Sequence, residues 1–142
     1  MTTYMLDTNI ASHVIRGDIP IVRERLADVP MHSVTVSVIT EAELRYGVAK
    51  RGHQQGLATR VKEFLIRVEV LPWTQDAARA YANLLVLREA VGATLAPMDM
   101  LIAAHAMAVG AILVTRDGAF GLVPGSLTLQ DWTKEASPSG NG

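Results

Sequence analysis

The sequence predicts a three-layer α/β/α sandwich built on a mostly parallel sheet, and two observations favour this class. Short apolar runs alternate along the chain with segments of helical period, and some runs, such as Ala-Ile-Leu-Val at 111–114, contain no polar residue. Unbroken apolar strands are typical of a parallel sheet that is covered on both faces. Parallel strands also need crossover connections, which the intervening helical segments supply.

The expected elements follow from these patterns and from the residues that flank them. Pro20 and Pro97 stand where helices should begin, and Gly17, Gly92 and Gly110 stand where helices should end, which matches the preferences of helix termini. We expect strands at residues 3–6, 33–38, 68–72, 111–115 and 127–129, and helices at 11–16, 21–27, 39–51, 56–67, 75–91 and 98–109.

Length and composition restrict the class of protein further. The chain has 142 residues, of which 49% are apolar, and these numbers predict one domain over residues 1–135 with a flexible tail at 136–142. No apolar run is long enough to span a bilayer, so we expect a cytoplasmic protein. Cysteine is absent, so any metal must be held by oxygen or imidazole. The net charge of -1 argues against binding a polyanion through overall positive charge.

Two carboxylates follow predicted strands. Asp7 comes directly after the first strand and Asp117 after the fourth, and ligands of open α/β sheets bind at the carboxyl ends of the strands. Each residue also has a purely structural interpretation. Asp7 is suited to capping a helix that begins near Ile10, and Asp117-Gly118 is a common turn pair. Both interpretations stay open at this point.

Glu43 is predicted to lie on the inner side of its helix. At 100° per residue it is about 40° from Ile39 and about 60° from Tyr46, so it should share their inward-facing side. Glu41 points about 200° away from Glu43, and Arg45 follows it at the spacing of a surface ion pair. We therefore expect Glu43 to have a role at the site and Glu41 to be a solvated charge.

Asp99 is the fourth acid, two residues after the proline that should open the last helix. An acid in a first turn can simply stabilise the helix dipole. However, Ile102, Ala103, Ala106 and Gly110 share its face and form a stripe of small and apolar residues suited to packing on a sheet. Asp99 should then point along this face toward the strand ends.

Four carboxylates near one sheet edge would repel one another unless they are protonated or bridged by cations. Ligation by oxygen alone selects hard ions such as Mg²⁺ or Mn²⁺, which support phosphate chemistry. With these four acids set aside, 13 basic residues face 10 acids, so the near-neutral net charge averages an acidic site with a mildly basic remainder.

Four segments in this order resemble the PIN-domain ribonucleases, specifically the VapC toxins of VapBC toxin–antitoxin modules and the related FitB proteins. They are Met-Leu-Asp-Thr-Asn at 5–9, Ser-Val-Ile-Thr-Glu-Ala-Glu-Leu-Arg-Tyr-Gly at 37–47, Pro-Met-Asp-Met-Leu-Ile-Ala-Ala-His-Ala at 97–106 and Val-Thr-Arg-Asp-Gly-Ala-Phe at 114–120. Val-Pro-Gly at 123–125 and Asp-Trp at 131–132 are similar to the family as well. Met98 departs from the tyrosine that many relatives carry after this proline.

The resemblance implies a metal-dependent endoribonuclease that hydrolyses RNA, commonly tRNA, and is silenced by a VapB-type antitoxin. It implies a homodimer or a toxin–antitoxin hetero-oligomer. It also implies that Asp7 and Asp99 hold Mg²⁺ most directly, that Glu43 and Asp117 complete the site, and that Thr115 stands beside it. Further supporting residues belong to the same motifs: Thr8 and Asn9 from the first, and Arg116, which we expect to contact phosphate.

The remaining polar residues and the competing functions are less informative. The four histidines have no zinc-site spacing and are expected in core or surface roles. Basic residues between Arg45 and Arg67 are interpreted first as solvated charges. A haloacid-dehalogenase-like phosphatase is disfavoured, because Asn9 stands where that class needs a second acid. A catalytically silent PIN-like scaffold that binds RNA or protein is the other alternative, although all four acids are present.

Overall fold

The computed structural model describes residues 1–92, 95–122 and 127–135, and within them five strands form one parallel sheet. The strand order is β3-β2-β1-β4-β5, and every neighbouring pair is parallel. The predicted three-layer α/β/α class is confirmed, and each predicted strand is present. The strands are β1 (Tyr4–Leu6), β2 (Val34–Ser37), β3 (Glu69–Leu71), β4 (Ile112–Val114) and β5 (Thr128–Gln130).

The central strand β1 has β2 on one side and β4 on the other. Tyr4 is in register with Val34 of β2 and with Ile112 of β4. The strand order reverses between β1 and β4, and the connections that leave these two strands therefore diverge. Such a switch point opens a crevice at the carboxyl ends of the strands. The Asp7 amide closes the base of this crevice by donating to the Val114 carbonyl at 3.0 Å.

Six helices cover the sheet, and all six were predicted from the sequence. The largest difference is the start of α1, which begins at Thr8 rather than near residue 11, because the Asp7 side chain caps its first turn. Two short 3₁₀ helices, Met31–Ser33 and Gly118–Leu122, were not predicted. The helices are α1 (Thr8–Arg16), α2 (Pro20–Ala27), α3 (Val38–Lys50), α4 (Gln55–Arg67), α5 (Gln75–Val91) and α6 (Pro97–Val109).

The sheet separates two hydrophobic cores, as expected for strands that are buried on both faces. Leu6 and Val114 contribute to the core under α1, α2, α3 and α4, whereas Met5 and Leu113 contribute to the core under α5 and α6. Successive residues of one strand point to opposite faces, so β1 and β4 supply both cores at once. Trp132 lies in the first core and is buried, with its ring 5.4 Å from that of Tyr4.

Two segments that the sequence analysis names lie outside the described residues, namely Val-Pro-Gly at 123–125 and the tail at 136–142. The extent of the domain over residues 1–135 remains a prediction. None of the helices in the described part of the chain is long and apolar enough to cross a lipid bilayer.

Gly17 ends α1 in a conformation that only glycine adopts without strain. Its φ is +69°, and a Cβ at this position would lie 2.6 Å from the Arg23 guanidinium. That guanidinium donates to the Val14 carbonyl at 2.9 Å and to the Ile15 carbonyl at 3.2 Å, so it satisfies the last turn of α1. Gly110 has nearly the same φ, +68°, but nothing lies within 4 Å of its Cβ position.

We therefore expect Gly17→Ala to cost more stability than Gly110→Ala. Both variants place alanine in the left-handed region, which costs about 1–2 kcal/mol. Gly17→Ala should lose about 1–2 kcal/mol more, because the displaced Arg23 leaves two carbonyls without their donor. Urea denaturation of the two variants and the wild type measures the difference, and equal losses would show that Arg23 does not stabilise the end of α1.

Candidate active site

Asp7 lies at the carboxyl end of β1 and caps α1. Its Oδ1 accepts a hydrogen bond from the Ile10 amide at 2.8 Å, and only 3% of the residue is exposed. The capping interpretation is therefore correct, and it also explains how the carboxylate is held at the crevice. Since the cap fixes both the backbone and the side chain, Asp7 occupies a defined position at the switch point.

Thr8 connects the start of α1 to Glu43 on α3. The Thr8 hydroxyl donates to Glu43 Oε1 at 2.5 Å and lies 3.1 Å from the hydroxyl of Thr40. Thr40 is completely buried and precedes Glu43 by three residues on the same helix. Thr40 was not identified from the sequence. It could have been found as a polar residue that lies one turn before Glu43 on the covered side of α3.

The two glutamates of α3 behave differently, as expected. Glu41 accepts from the Nε of Arg45 at 2.7 Å in an exposed pair one helical turn apart, whereas Glu43 is half-buried at the edge of the crevice. The prediction that Tyr46 shares an inward-facing side with Glu43 is wrong, because 66% of Tyr46 is exposed. The covered side of α3 is centred on Thr40, Leu44 and Val48, and Tyr46 lies beyond its edge.

Asp99 is placed by α6, whose inner face packs on the sheet as predicted. Ile102, Ala103 and Ala106 are completely buried, so the helix lies close to the strands, and half-buried Asp99 stands in its first turn at the strand ends. His105 is buried, and its Nδ1 lies 2.7 Å from the hydroxyl of Ser37, the residue that caps α3.

This contact between His105 and Ser37 was also missed by sequence reasoning. It links the helix that carries Asp99 to the helix that carries Glu43. Burial lowers the pKa of His105, so the imidazole is neutral at pH 7 and this link adds no charge to the crevice. The expectation of a core role for this histidine is confirmed.

Asp117 follows β4 and lies on the other side of the crevice from Glu43. Its amide donates to the Thr115 hydroxyl at 3.0 Å, and its Oδ1 accepts from the Ala119 amide at 2.9 Å, so it forms the predicted turn. Thr115 is buried beside it. Arg116 is exposed, with one guanidinium nitrogen 3.5 Å from His13 Nε2. Asn9 is exposed in the first turn of α1, and no side-chain hydrogen bond joins it to the residues described.

The charges of neighbouring carboxylates act on Asp7 and Asp99. Burial raises the pKa of Asp99 to about 6, and the charges of Glu43, Asp7 and Asp117 raise it as well. Burial also raises the pKa of Asp7. The charges of Asp117 and Glu43 raise this pKa further, whereas hydrogen bonds from the Thr115 hydroxyl and the Ile10 amide lower it. The fold therefore holds Asp7 and Asp99 where their ionisation is unfavourable in the absence of a cation.

The donor set suits a hard divalent ion, since it consists of carboxylate and hydroxyl oxygens. Within residues 1–92, 95–122 and 127–135, no three His, Asp or Glu side chains converge tightly enough to enclose a cation. The observation in favour of a cation is instead electrostatic, namely the raised pKa values of Asp7 and Asp99. A divalent ion among the acids would offset their repulsion.

Two open pockets flank the carboxylates. One, of about 400 Å³, lies between α6 and the segment after β4, and Asp99 and Asp117 line it. The other, of about 310 Å³, lies between α1, α3 and α4, and Thr8 and Glu43 line it. An extended substrate could therefore cross the acids from one pocket to the other.

Four acids around the switch point of a parallel sheet are an arrangement expected of the metal-dependent nucleases of the PIN-like fold. Residues 4–125 match the PIN domain. The chain is 32% identical to ribonuclease VapC2 of Rickettsia felis over 133 residues, 92% of this chain and 98% of that protein. It is 30% identical to the tRNA(fMet)-specific endonuclease VapC of Shigella flexneri, over 94% of this chain and all of that protein.

Solved structures show the same relationship. DNA-bound VapBC of Salmonella typhimurium contains a chain that matches this one with a TM-score of 0.86 at 31% identity, covering 93% of this chain and 99% of that one. The chain belongs to the PIN domain family and, within it, to the VapC ribonucleases. The resemblance stated from the sequence is confirmed, and the PIN-domain ribonucleases as a family depend on divalent metal.

The pKa of Asp99 leads to a prediction for the metal-free protein. Because the folded-state pKa of about 6 lies above the ordinary pKa of an aspartate, 3.8, stability present below pH 4 is lost as the pH rises through 6. Asp99→Asn cannot ionise, so at pH 7.5 it should be more stable than the wild type by about 1 kcal/mol, a magnitude reduced for the exposure of Asp99.

Urea denaturation in EDTA at pH 4.5 and pH 7.5 tests this prediction, with the exposed Asp76→Asn as the matched control. The advantage of Asp99→Asn should be present at pH 7.5 and small at pH 4.5, and Mg²⁺ should raise the wild-type Tm more than that of the variant. If Asp99→Asn loses stability with pH as the wild type does, the ionisation of Asp99 does not oppose folding as described.

Proposed function

We propose that this VapC ribonuclease hydrolyses phosphodiester bonds of tRNA with Mg²⁺ bound at Asp7, Glu43, Asp99 and Asp117. The observation that carries the proposal is the electrostatic coupling of these four acids at the switch point of the sheet. Oxygen donors are compatible with Mn²⁺ as well, and Mg²⁺ is proposed because it is the usual partner of phosphate substrates.

Each residue has a distinct part in this mechanism. A divalent cation bound there would polarise the phosphodiester and lower the pKa of a water molecule. Asp7 and Asp99 hold it from the central strand and from α6, and Glu43, oriented by Thr8, completes the site from α3. Asp117 is kept in place by the Ala119 amide and can accept a proton or orient water.

Thr115 and Arg116 support the side of the crevice that Asp117 occupies. Thr115 accepts from the Asp117 amide and so fixes the turn that presents the carboxylate. Arg116 is exposed next to Asp117, where its guanidinium can neutralise a phosphate of the RNA. The substrate is thus held through the cation and local contacts, since the net charge of -1 provides no overall attraction.

The relatives support the substrate and the partner. The Shigella flexneri relative is named a tRNA(fMet)-specific endonuclease, which favours tRNA as the substrate class. The Salmonella typhimurium structure is a VapBC complex bound to DNA, which favours a VapB-type antitoxin as the protein that silences this chain. A homodimer or a toxin–antitoxin hetero-oligomer in the cytoplasm, where tRNA is found, completes the proposal.

A catalytically silent scaffold is the second candidate function. It would not need ionisable groups at a position where their charges oppose folding. All four acids are present, and Asp7 and Asp99 have raised pKa values, so the enzyme is favoured.

The two glutamates of α3 provide a matched test of the site. Glu43→Gln should lower the rate of RNA cleavage at least about 100-fold, because it removes a charge that the cation requires. Glu41→Gln should change the rate less than about twofold, because it removes only an exposed ion pair. Cleavage of a fluorogenic RNA in Mg²⁺ measures both rates, and similar losses in the two variants would contradict the assigned role of Glu43.

Brief expression in bacterial cells, followed by mapping of new RNA ends, tests the function and identifies the substrate. The wild type should arrest growth and produce new 5′ ends in tRNA, while Asp7→Asn, which retains a capping oxygen, should do neither. Co-expression of the cognate antitoxin should restore growth. New ends that are equally abundant with Asp7→Asn would exclude the proposed site.

A further inference from the structure

The pocket between α1, α3 and α4 adjoins the carboxylates but has a different chemical character. Its floor is apolar, with Ile15 and Leu57, and its rim carries Arg16, Lys50 and Arg51. The only acid that lines it is Glu43, at the end nearest the crevice. A volume of about 310 Å³ accommodates one base with its ribose.

Tyr46 forms part of the wall of this pocket. The ring lies one helical turn after Glu43, and 66% of the residue is exposed. The Nζ of Lys50 lies 6.0 Å from the centre of the ring. An exposed aromatic ring with a cation at its face is a surface on which a nucleic-acid base can stack.

Arg16 is oriented before any ligand binds. Its Nε lies 3.3 Å from Asp18 Oδ2, and another of its guanidinium nitrogens lies 3.1 Å from His13 Nδ1. Lys50 and Arg51, by contrast, pair with no carboxylate among the residues that the structure describes. Lys50 and Arg51 are thus available to bind phosphate, and Arg16 is held in place beside them.

The position of the pocket relative to the acids determines what would enter it. Thr8 and Glu43 line the pocket and also belong to the site at which the phosphodiester would be cut. An RNA chain whose scissile phosphate lies at the acids must place its neighbouring nucleotides in the pockets on either side of them. The basic rim, the exposed ring and the apolar floor together favour the pocket as the place for the neighbouring nucleotide.

We propose that this pocket binds the nucleotide next to the scissile phosphate in single-stranded RNA. Its base stacks on Tyr46 over the apolar floor, and its phosphate lies against Lys50 and Arg51. This inference rests on the proposed function for the identity of the ligand, since it assigns part of the RNA path. RNA is favoured over an acidic peptide because the pocket adjoins the acids, where the phosphodiester would be cut, and has an exposed ring for a base.

Equilibrium binding of a short fluorescein-labelled single-stranded RNA, measured by anisotropy in EDTA, tests the pocket without cleavage. Tyr46→Ala should weaken binding about tenfold, whereas Tyr46→Phe, which retains the ring, should bind as the wild type does. The double variant Lys50→Gln/Arg51→Gln should reduce the slope of log Kd against log salt by about 0.7 for each lost phosphate contact. Arg79→Gln, on the exposed face of α5, is the control cation and should change neither quantity.

Cleavage in Mg²⁺ separates binding from structural effects. Tyr46→Ala should raise KM for RNA about tenfold and lower kcat less than about twofold, because the ring binds the neighbouring nucleotide and does not hold the acids. A loss that falls in kcat with KM unchanged, with urea denaturation as a check on folding, would overturn the proposal and indicate that Tyr46 supports the acids.

The remaining outcomes distinguish this inference from the proposed function. Unchanged RNA affinity and salt slope in folded variants would overturn the nucleotide pocket, and so would a loss of antitoxin affinity without a loss of RNA affinity. A wild type that binds RNA in the expected way but cleaves none would contradict the proposed function and leave the pocket supported.

Discussion

The mutual repulsion of four carboxylates at one edge of the sheet is the constraint on which the rest of the site depends. Asp99 shows it most clearly, since burial and the charges of Glu43, Asp7 and Asp117 raise its pKa to about 6. Like charges separate unless the surrounding structure holds them, and three of the acids are restrained by hydrogen bonds. Asp7 is held by the first turn of α1, Glu43 by Thr8, and Asp117 by the Ala119 amide.

The fold makes this arrangement possible because a hydrophobic core packs against each face of the sheet. β1 and β4 contribute side chains to both cores, so the strands that carry Asp7 and Asp117 are secured from both faces. Across the sheet edge, Ser37 and His105 join the helices that carry Glu43 and Asp99 at 2.7 Å. This neutral contact brings the helices that carry Glu43 and Asp99 together without adding charge, which leaves a divalent cation as the means of offsetting the repulsion.

Much of this could be predicted from the sequence, because the relevant signals are local. Unbroken apolar strands predicted the parallel sheet, and the residue after a strand of such a sheet lies at its ligand-binding edge, so Asp7 and Asp117 were recognised directly. Tyr46 shows the limit of this reasoning. Helical periodicity gives the angle between two side chains but not which arc of the helix its neighbours cover, and the covered arc of α3 ends before Tyr46.

The sequence alone determined the class of fold, the ends of the helices at their prolines and glycines, and the four acids, because all of these depend on residue type and short-range spacing. Only the tertiary structure decided that Thr40 lies against Thr8, that His105 contacts Ser37 across 68 positions of the chain, and that Tyr46 borders a basic pocket next to Glu43. Such contacts arise from how helices settle on a twisted sheet, and no local pattern in the chain specifies that packing.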